Sequence, residues 1–164
     1  MIKTQLINHI PKVFEEGYIT NSLGTFKLQF DQEGLIEIQK TDYVAKSTEN
    51  LVNLFRNWIK KKRVIFYGVW TNFQRQVYEE LLKTNVGELQ SYQSLALNIS
   101  PQAVRAVGTA LGKNKIPIFI PCHRIIRKNG NLGNYALGCE FKQKLIALEK
   151  KGVSFYDVFA DRSS

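Results

Sequence analysis

Apolar and polar residues alternate along GTFKLQFDQEGLIEIQK (24–40), on both sides of an Asp31-Gln32-Glu33-Gly34 turn. Period-two alternation broken by such a turn predicts a β-hairpin with one buried face. The period then lengthens. STENLVNLFRNWIKKK (47–62) brings Leu51, Leu54, Phe55 and Trp58 to one face of a helix, with Ser47 or Thr48 as N-cap. RVIFYGVW (63–70) reads as a short strand or an extended linker leading away. Together these predict a small α+β amino-terminal domain over about 1–70, a scaffold built around the hairpin.

From Thr71 onward the pattern is mostly helical. Thr71 caps a helix with apolar positions at Phe73, Val77, Leu81 and Leu82 that ends before Gly87. Ser91 caps a short one over Tyr92–Leu97. Ser100-Pro101 is a helix start, because proline at the first helical position lacks only a donor that has no partner there anyway. This third helix is expected to run to about Leu111 and to stop at Gly112. A last helix over Glu140–Lys150 ends towards Gly152, a suitable residue just past a helix end. SYQSLALNIS-PQAVRAVGTALGKN therefore reads as a helix-turn-helix with about three residues between the helices. Val104, Val107 and Leu111 form its expected buried stripe. Gln102, Arg105 and Thr109 lie opposite, and the small Ala103, Ala106, Gly108 and Ala110 let the helix approach another surface closely.

Charge sharpens this picture. The 164-residue chain has a net charge of +9, and between Glu88 and Glu140 it carries no carboxylate. Arg105, Lys113, Lys115, Arg124, Arg127 and Lys128 all fall in that window. An acid-free stretch on a helical pair points to a polyanionic partner, nucleic acid above all. No apolar stretch reaches the length of a membrane span, and the start MIKTQLINHIPK lacks the apolar middle of a secretory signal, so a cytoplasmic protein is expected. With two cysteines and two histidines there is no CxxC or HxxxH spacing for a metal. A single Cys122–Cys139 bridge remains open, although an intracellular setting argues against it.

The candidate chemistry lies in IPIFIPCHRII (116–126). Free cysteines are usually buried and inert. Cys122, however, follows a proline and precedes two polar residues that do not both fit a core. His123 and Arg124 could supply a base and a positive environment that lower the thiol pKa. The last helix places Glu149 beside an apolar face of Phe141, Leu145 and Leu148, where a partly buried carboxylate could orient His123. Cys139 is read as a small core residue.

With these residues assembled, the chain resembles the O6-alkylguanine-DNA alkyltransferases, repair proteins that move an alkyl group from guanine to their own cysteine. IPCHRII matches the family's PCHR motif, and the resemblance runs through SYQSLA, RAVGTALGKN, GNYALG and ALEKKG, over roughly 71–152. It implies a helical, winged-helix-like domain over 71–164 that binds the minor groove of double-stranded DNA carrying O6-alkylguanine. It further implies that Cys122 accepts the alkyl group, with His123 as a water-mediated base, Glu149 completing the relay and Asn114 supporting the site. Tyr92 would polarise the leaving guanine, carbonyls at Cys122 and Ile125 would read its exocyclic amine, and Tyr135 and Ala136 would wall the alkyl pocket. Arg105 would fill the gap left by the flipped nucleotide, with Gln102, Ala106, Thr109 and Arg124 also on the DNA. A monomer without cofactor or metal is expected.

Two features depart from the family pattern. Several relatives have Ser-Gly in the pocket loop where this chain has Ala136-Leu137, which removes a hydroxyl and narrows the pocket. The amino-terminal part has no cysteine for the zinc that some relatives hold there. The competing readings are a non-catalytic alkyltransferase-like lesion sensor, which would carry Trp in place of Cys122, and a helix-turn-helix regulator, which leaves the PCHR cluster unexplained. A cysteine hydrolase fits the charge layout poorly.

Overall fold

The computed structural model describes residues 1–161 and divides into two compact units, Met1–Val69 with the segment from Ser154 onward, and Trp70–Val153. The first unit is built on a five-stranded sheet in the order β1-β5-β4-β3-β2. Its strands are β1 (Lys3–Ile7), β2 (Glu15–Asn21), β3 (Gly24–Phe30), β4 (Gly34–Thr41) and β5 (Arg63–Tyr67). The hairpin is β3–β4, antiparallel as the alternation predicts, while β5 runs parallel to both β1 and β4. Gly34 has to be glycine, since a Cβ there would sit 1.8 Å from the Ile65 carbonyl oxygen.

Helix α1 (Glu49–Lys61) buries Leu51, Val52, Leu54, Phe55 and Trp58, and Thr48 takes the N-cap position. Neither candidate hydroxyl caps the helix, however. Thr48 Oγ1 accepts from Tyr18 N at 2.9 Å and Ser47 Oγ from Thr20 N at 3.0 Å, so both satisfy edge strand β2. The carboxy-terminal segment corrects the expected 71–164 domain. Its Phe155 and Phe159 are buried, and Phe159 packs on Phe26 and Phe55 with ring centroids 5.2 and 5.3 Å away. Apolar burial thus returns this segment to the first unit, where its helix (Phe155–Ala160) meets α1.

In the second unit α2 (Asn72–Leu82) starts with a reciprocal capping box between Thr71 and Gln74. It is followed by a two-residue strand, β6 (Gln90–Ser91), α3 (Tyr92–Leu97) and α4 (Val104–Gly112). The Tyr78 hydroxyl of α2 donates to Ala110 O of α4 at 2.8 Å. A 3₁₀ turn at Cys122–Arg124 leads into β7 (Ile125–Ile126), which pairs in parallel with β6, and α5 (Cys139–Lys150) completes the unit. The carboxy-terminal helix of the first unit is α6.

The helical pair differs from the sequence reading in one respect. Six residues, 98–103, separate α3 from α4 rather than three, because Ser100 and Pro101 form a turn that Ala103 N closes on Ser100 O at 2.9 Å. Helix α4 consequently starts at Val104 without a side-chain cap, and Gln102 lies before it in the turn. The buried stripe is Val107, Ala110 and Leu111, and Val104 is only partly covered.

Candidate active site

The segment 113–121 descends from α4 to the 3₁₀ turn and buries Ile116, Ile118, Phe119 and Ile120. Ile118 holds φ at +77°, a left-handed conformation costly for a β-branched residue. Asn114 braces the segment on both sides. Its Oδ1 accepts from Ile116 N at 2.9 Å, and its Nδ2 donates to Ile120 O at 2.9 Å and to Cys122 Sγ at 3.2 Å. Cys122 itself is 8% exposed, on the wall of an open cleft of about 820 Å³. The cleft is also lined by Tyr92, Arg105, Thr109, Arg127, Tyr135 and Ala136.

Behind the sulfur lies a buried ionic cluster. His123 Nε2 is 3.0 Å from Glu149 Oε1. The Arg124 guanidinium binds the same carboxylate through both oxygens, at 2.7 and 2.9 Å, and donates through its third nitrogen to Thr84 O and Oγ1. Gly87 N adds a bond of 3.2 Å to Glu149 Oε2. Burial alone would raise the Glu149 pKa, but the hydrogen bonds from His123 and Arg124 hold it at about 2. Burial pushes the His123 pKa down against the pull of Glu149, so its resting imidazole is neutral. Burial also pushes the Cys122 thiol up, with Asn114 and Lys142 opposing it, so the resting sulfur keeps its proton.

These positions correct two expectations. Arg124, expected on the DNA and as a depressant of the thiol pKa, is buried with its guanidinium committed to Glu149 and Thr84. A cation that is almost wholly buried and paired bidentately with a carboxylate does not present its charge to a phosphate. Cys139, expected in the core, is exposed at the first position of α5 and donates to Gly133 O at 3.2 Å; both cysteines are free thiols.

The remaining predicted residues separate by position. Arg105, Ala106 and Thr109 are exposed on α4, where the Thr109 hydroxyl turns back to Arg105 O. Gln102 is exposed in the preceding turn. The Ile125 carbonyl already accepts from the Lys142 ammonium. Lys142 was missed altogether. It is fully buried, donates also to Leu132 O, and lies 6.0 Å from the centre of the Tyr135 ring. The clue was available: Lys142, Leu145, Ile146 and Glu149 share one helical face, and a lysine on a buried stripe needs buried acceptors. Arg127 and Lys128 also line the cleft unassigned.

Residues 72–151 match the family described as 6-O-methylguanine DNA methyltransferase, DNA binding domain. The methylated-DNA--protein-cysteine methyltransferase of Sulfolobus acidocaldarius is 36% identical over 145 residues, covering 81% of this chain and 91% of that protein. The chain belongs to this family. Among the alkyltransferases, the inducible methylated-DNA--protein-cysteine methyltransferase of Bacillus subtilis is 46% identical over 89 residues, 54% of this chain and 50% of that protein. The chain spans about half the length of the first curated relatives it matches. The crystal structure of the Mycobacterium tuberculosis alkyltransferase OGT in complex with DNA superposes with a TM-score of 0.67 at 28% identity, over 88% of this chain and 98% of that one. The α+β fold is therefore that of the family. No helix among the described residues is long and apolar enough to cross a membrane.

Proposed function

We propose that the chain is a DNA repair protein that extrudes O6-alkylguanine from double-stranded DNA and takes the alkyl group once, irreversibly, on Cys122. The observation that carries this reading is the thiol on the cleft wall, backed by neutral His123 and ionised Glu149. The attack is on a saturated carbon, so no oxyanion hole is needed. The reaction needs a deprotonated sulfur and a stabilised leaving group. His123 takes the thiol proton through a water, Glu149 stabilises the resulting imidazolium, and Asn114 holds the sulfur. The sulfur–carbon bond forms as the carbon–O6 bond breaks, and its electron pair passes to guanine. Tyr92 donates a hydrogen bond to the purine, the Cys122 and Ile125 carbonyls read its amine, and Tyr135 and Ala136 wall the alkyl pocket.

On the DNA side, Arg105 fills the space of the flipped nucleotide, with Gln102, Ala106 and Thr109 against the minor groove. Arg105, Lys113, Lys115, Arg127 and Lys128, the acid-free window without Arg124, are all exposed and supply the phosphate attraction. We place the protein in the cytoplasm as a monomer that uses no cofactor. The test is intact mass after mixing with an O6-methylguanine oligonucleotide, for the unaltered protein, Cys122→Ser and Cys139→Ser. One added methyl, absent only in Cys122→Ser, is expected. No gain with tight lesion binding would mean a sensor, and no gain without lesion preference a regulator.

A further inference from the structure

Arg127 and Lys128 are cations in the cleft to which the reading above gives no part in the chemistry, and Arg127 is the one that lies near Tyr92 across Gly133. Its main chain is fixed at both ends, since its N–H donates to Asn131 O at 2.8 Å and its carbonyl accepts from Gly130 N at 2.9 Å. Its side chain reaches the cleft that also holds Cys122 and Tyr92. Gly133, buried and at φ +70°, shows where that side chain points. A Cβ at Gly133 would stand 3.1 Å from Tyr92 Oη and 3.7 Å from both Arg127 Nε and Cγ. The phenol and the guanidinium thus face one small volume, which a glycine leaves open.

We propose that Arg127 is a positioning residue for the departing guanine: held beside the Tyr92 hydroxyl across Gly133, its guanidinium strengthens that hydroxyl as the donor to the purine. This rests on the alkyl-transfer reading and deepens it. When the carbon–O6 bond breaks, its electron pair spreads into the purine ring, while the thiol proton leaves through His123. A ring nitrogen gaining charge draws a stronger hydrogen bond from a more acidic phenol. A neighbouring cation makes the phenol more acidic and lowers the cost of the charge itself. Burial and the Cys122 sulfur raise the Tyr92 pKa, and Arg127 pulls it back, the direction this role requires. At the phenol Arg127 thus opposes the effect of the Cys122 sulfur.

The competing role is a plain phosphate contact, and the two roles separate on a substrate without phosphate. The full chain, Arg127→Gln, Arg127→Lys, Tyr92→Phe and the Arg127→Gln/Tyr92→Phe double variant are given free O6-methylguanine base at increasing concentration. Methylation of Cys122 is followed by intact mass. Arg127→Gln is expected to slow the maximal rate on the order of tenfold, less than the hundredfold or more typical of losing a direct transition-state donor. Its half-saturating concentration should change little, and Arg127→Lys should recover part of the rate. In the Tyr92→Phe background, Arg127→Gln should cost nothing further. An unaltered rate in Arg127→Gln, or an equal loss with and without the Tyr92 hydroxyl, overturns the proposal. The first of these, with a shallower salt dependence of duplex binding, assigns Arg127 to phosphate. No methylation of the unaltered protein would instead bring down the alkyl-transfer reading, and this one with it.

Discussion

Three groups converge on the Glu149 carboxylate, and their balance decides both proton affinity and stability at this residue. Ionised Glu149 is 3% exposed, yet its pKa of about 2 lies below the ordinary carboxylate value of 4.5. A carboxyl depressed on folding contributes stability above its unfolded pKa and loses it as pH falls towards the folded one. The window here runs from about pH 4.5 down to 2, and the contribution is on the order of 3 kcal/mol. Glu149→Gln leaves the Arg124 charge buried without its partner, which costs about 3–5 kcal/mol at neutral pH. The gap between the two proteins should therefore be widest at pH 7 and close as acid protonates Glu149. Urea unfolding at pH 7, 4 and 2.5 checks this, and a gap independent of pH would place the stabilisation elsewhere. The same variant should lose alkylation rate, because the His123 imidazolium has no counter-charge in its absence.

At the scale of the element, α4 carries the contrast between recognition and chemistry. Arg105 projects from its exposed face into the cleft mouth, while Val107, Ala110 and Leu111 anchor its other side. A residue that replaces an extruded nucleotide matters only when there is a duplex to hold open. Arg105→Ala is thus expected to slow repair of duplex DNA by about tenfold or more while leaving attack on free O6-methylguanine within about twofold. Parallel rate measurements on the two substrates decide it, and equal losses would remove the finger role.

Elements with a full apolar stripe or an alternating hairpin were legible in sequence: β3–β4, α1, α2, α3 and α5. Strand β2 was not, because its inward positions are Gly17, Ile19 and Asn21, and two of those three are invisible to a hydrophobicity pattern. Strand β1 buries only Leu6 and has β5 as its single neighbour in the sheet. Helix α6 depends on partners about a hundred residues away, such as Arg56, whose Nε donates to Ala160 O at 3.0 Å. The PCHR motif identified the site but not its directions, since adjacency says nothing of which side chain turns inward. Arg124 turned in and Arg127 turned towards the cleft, a distinction set by the 3₁₀ turn at 122–124 and the reverse turn at 127–130.

For the molecule as a whole, the reactive atom and the packing of the second unit are not separable. The Asn114 side chain that meets the sulfur also braces Ile116 and Ile120, whose side chains are almost completely buried. A methyl added to Cys122, a residue only 8% exposed whose sulfur is held by Asn114, adds bulk beside the 113–121 segment, which already carries the strained Ile118. Overpacking of this kind costs about 1–3 kcal/mol. At this chain length each kcal/mol lowers the melting temperature by about 2–4 °C. The methylated protein should accordingly melt several degrees below the free one, measured after the DNA is removed, since a bound duplex would raise the midpoint. Cys122→Ser taken through the same treatment should not shift. An unchanged or higher midpoint in the methylated protein would mean that the cleft accepts the methyl without moving its walls, and that the strained segment is indifferent to the state of the sulfur it presents.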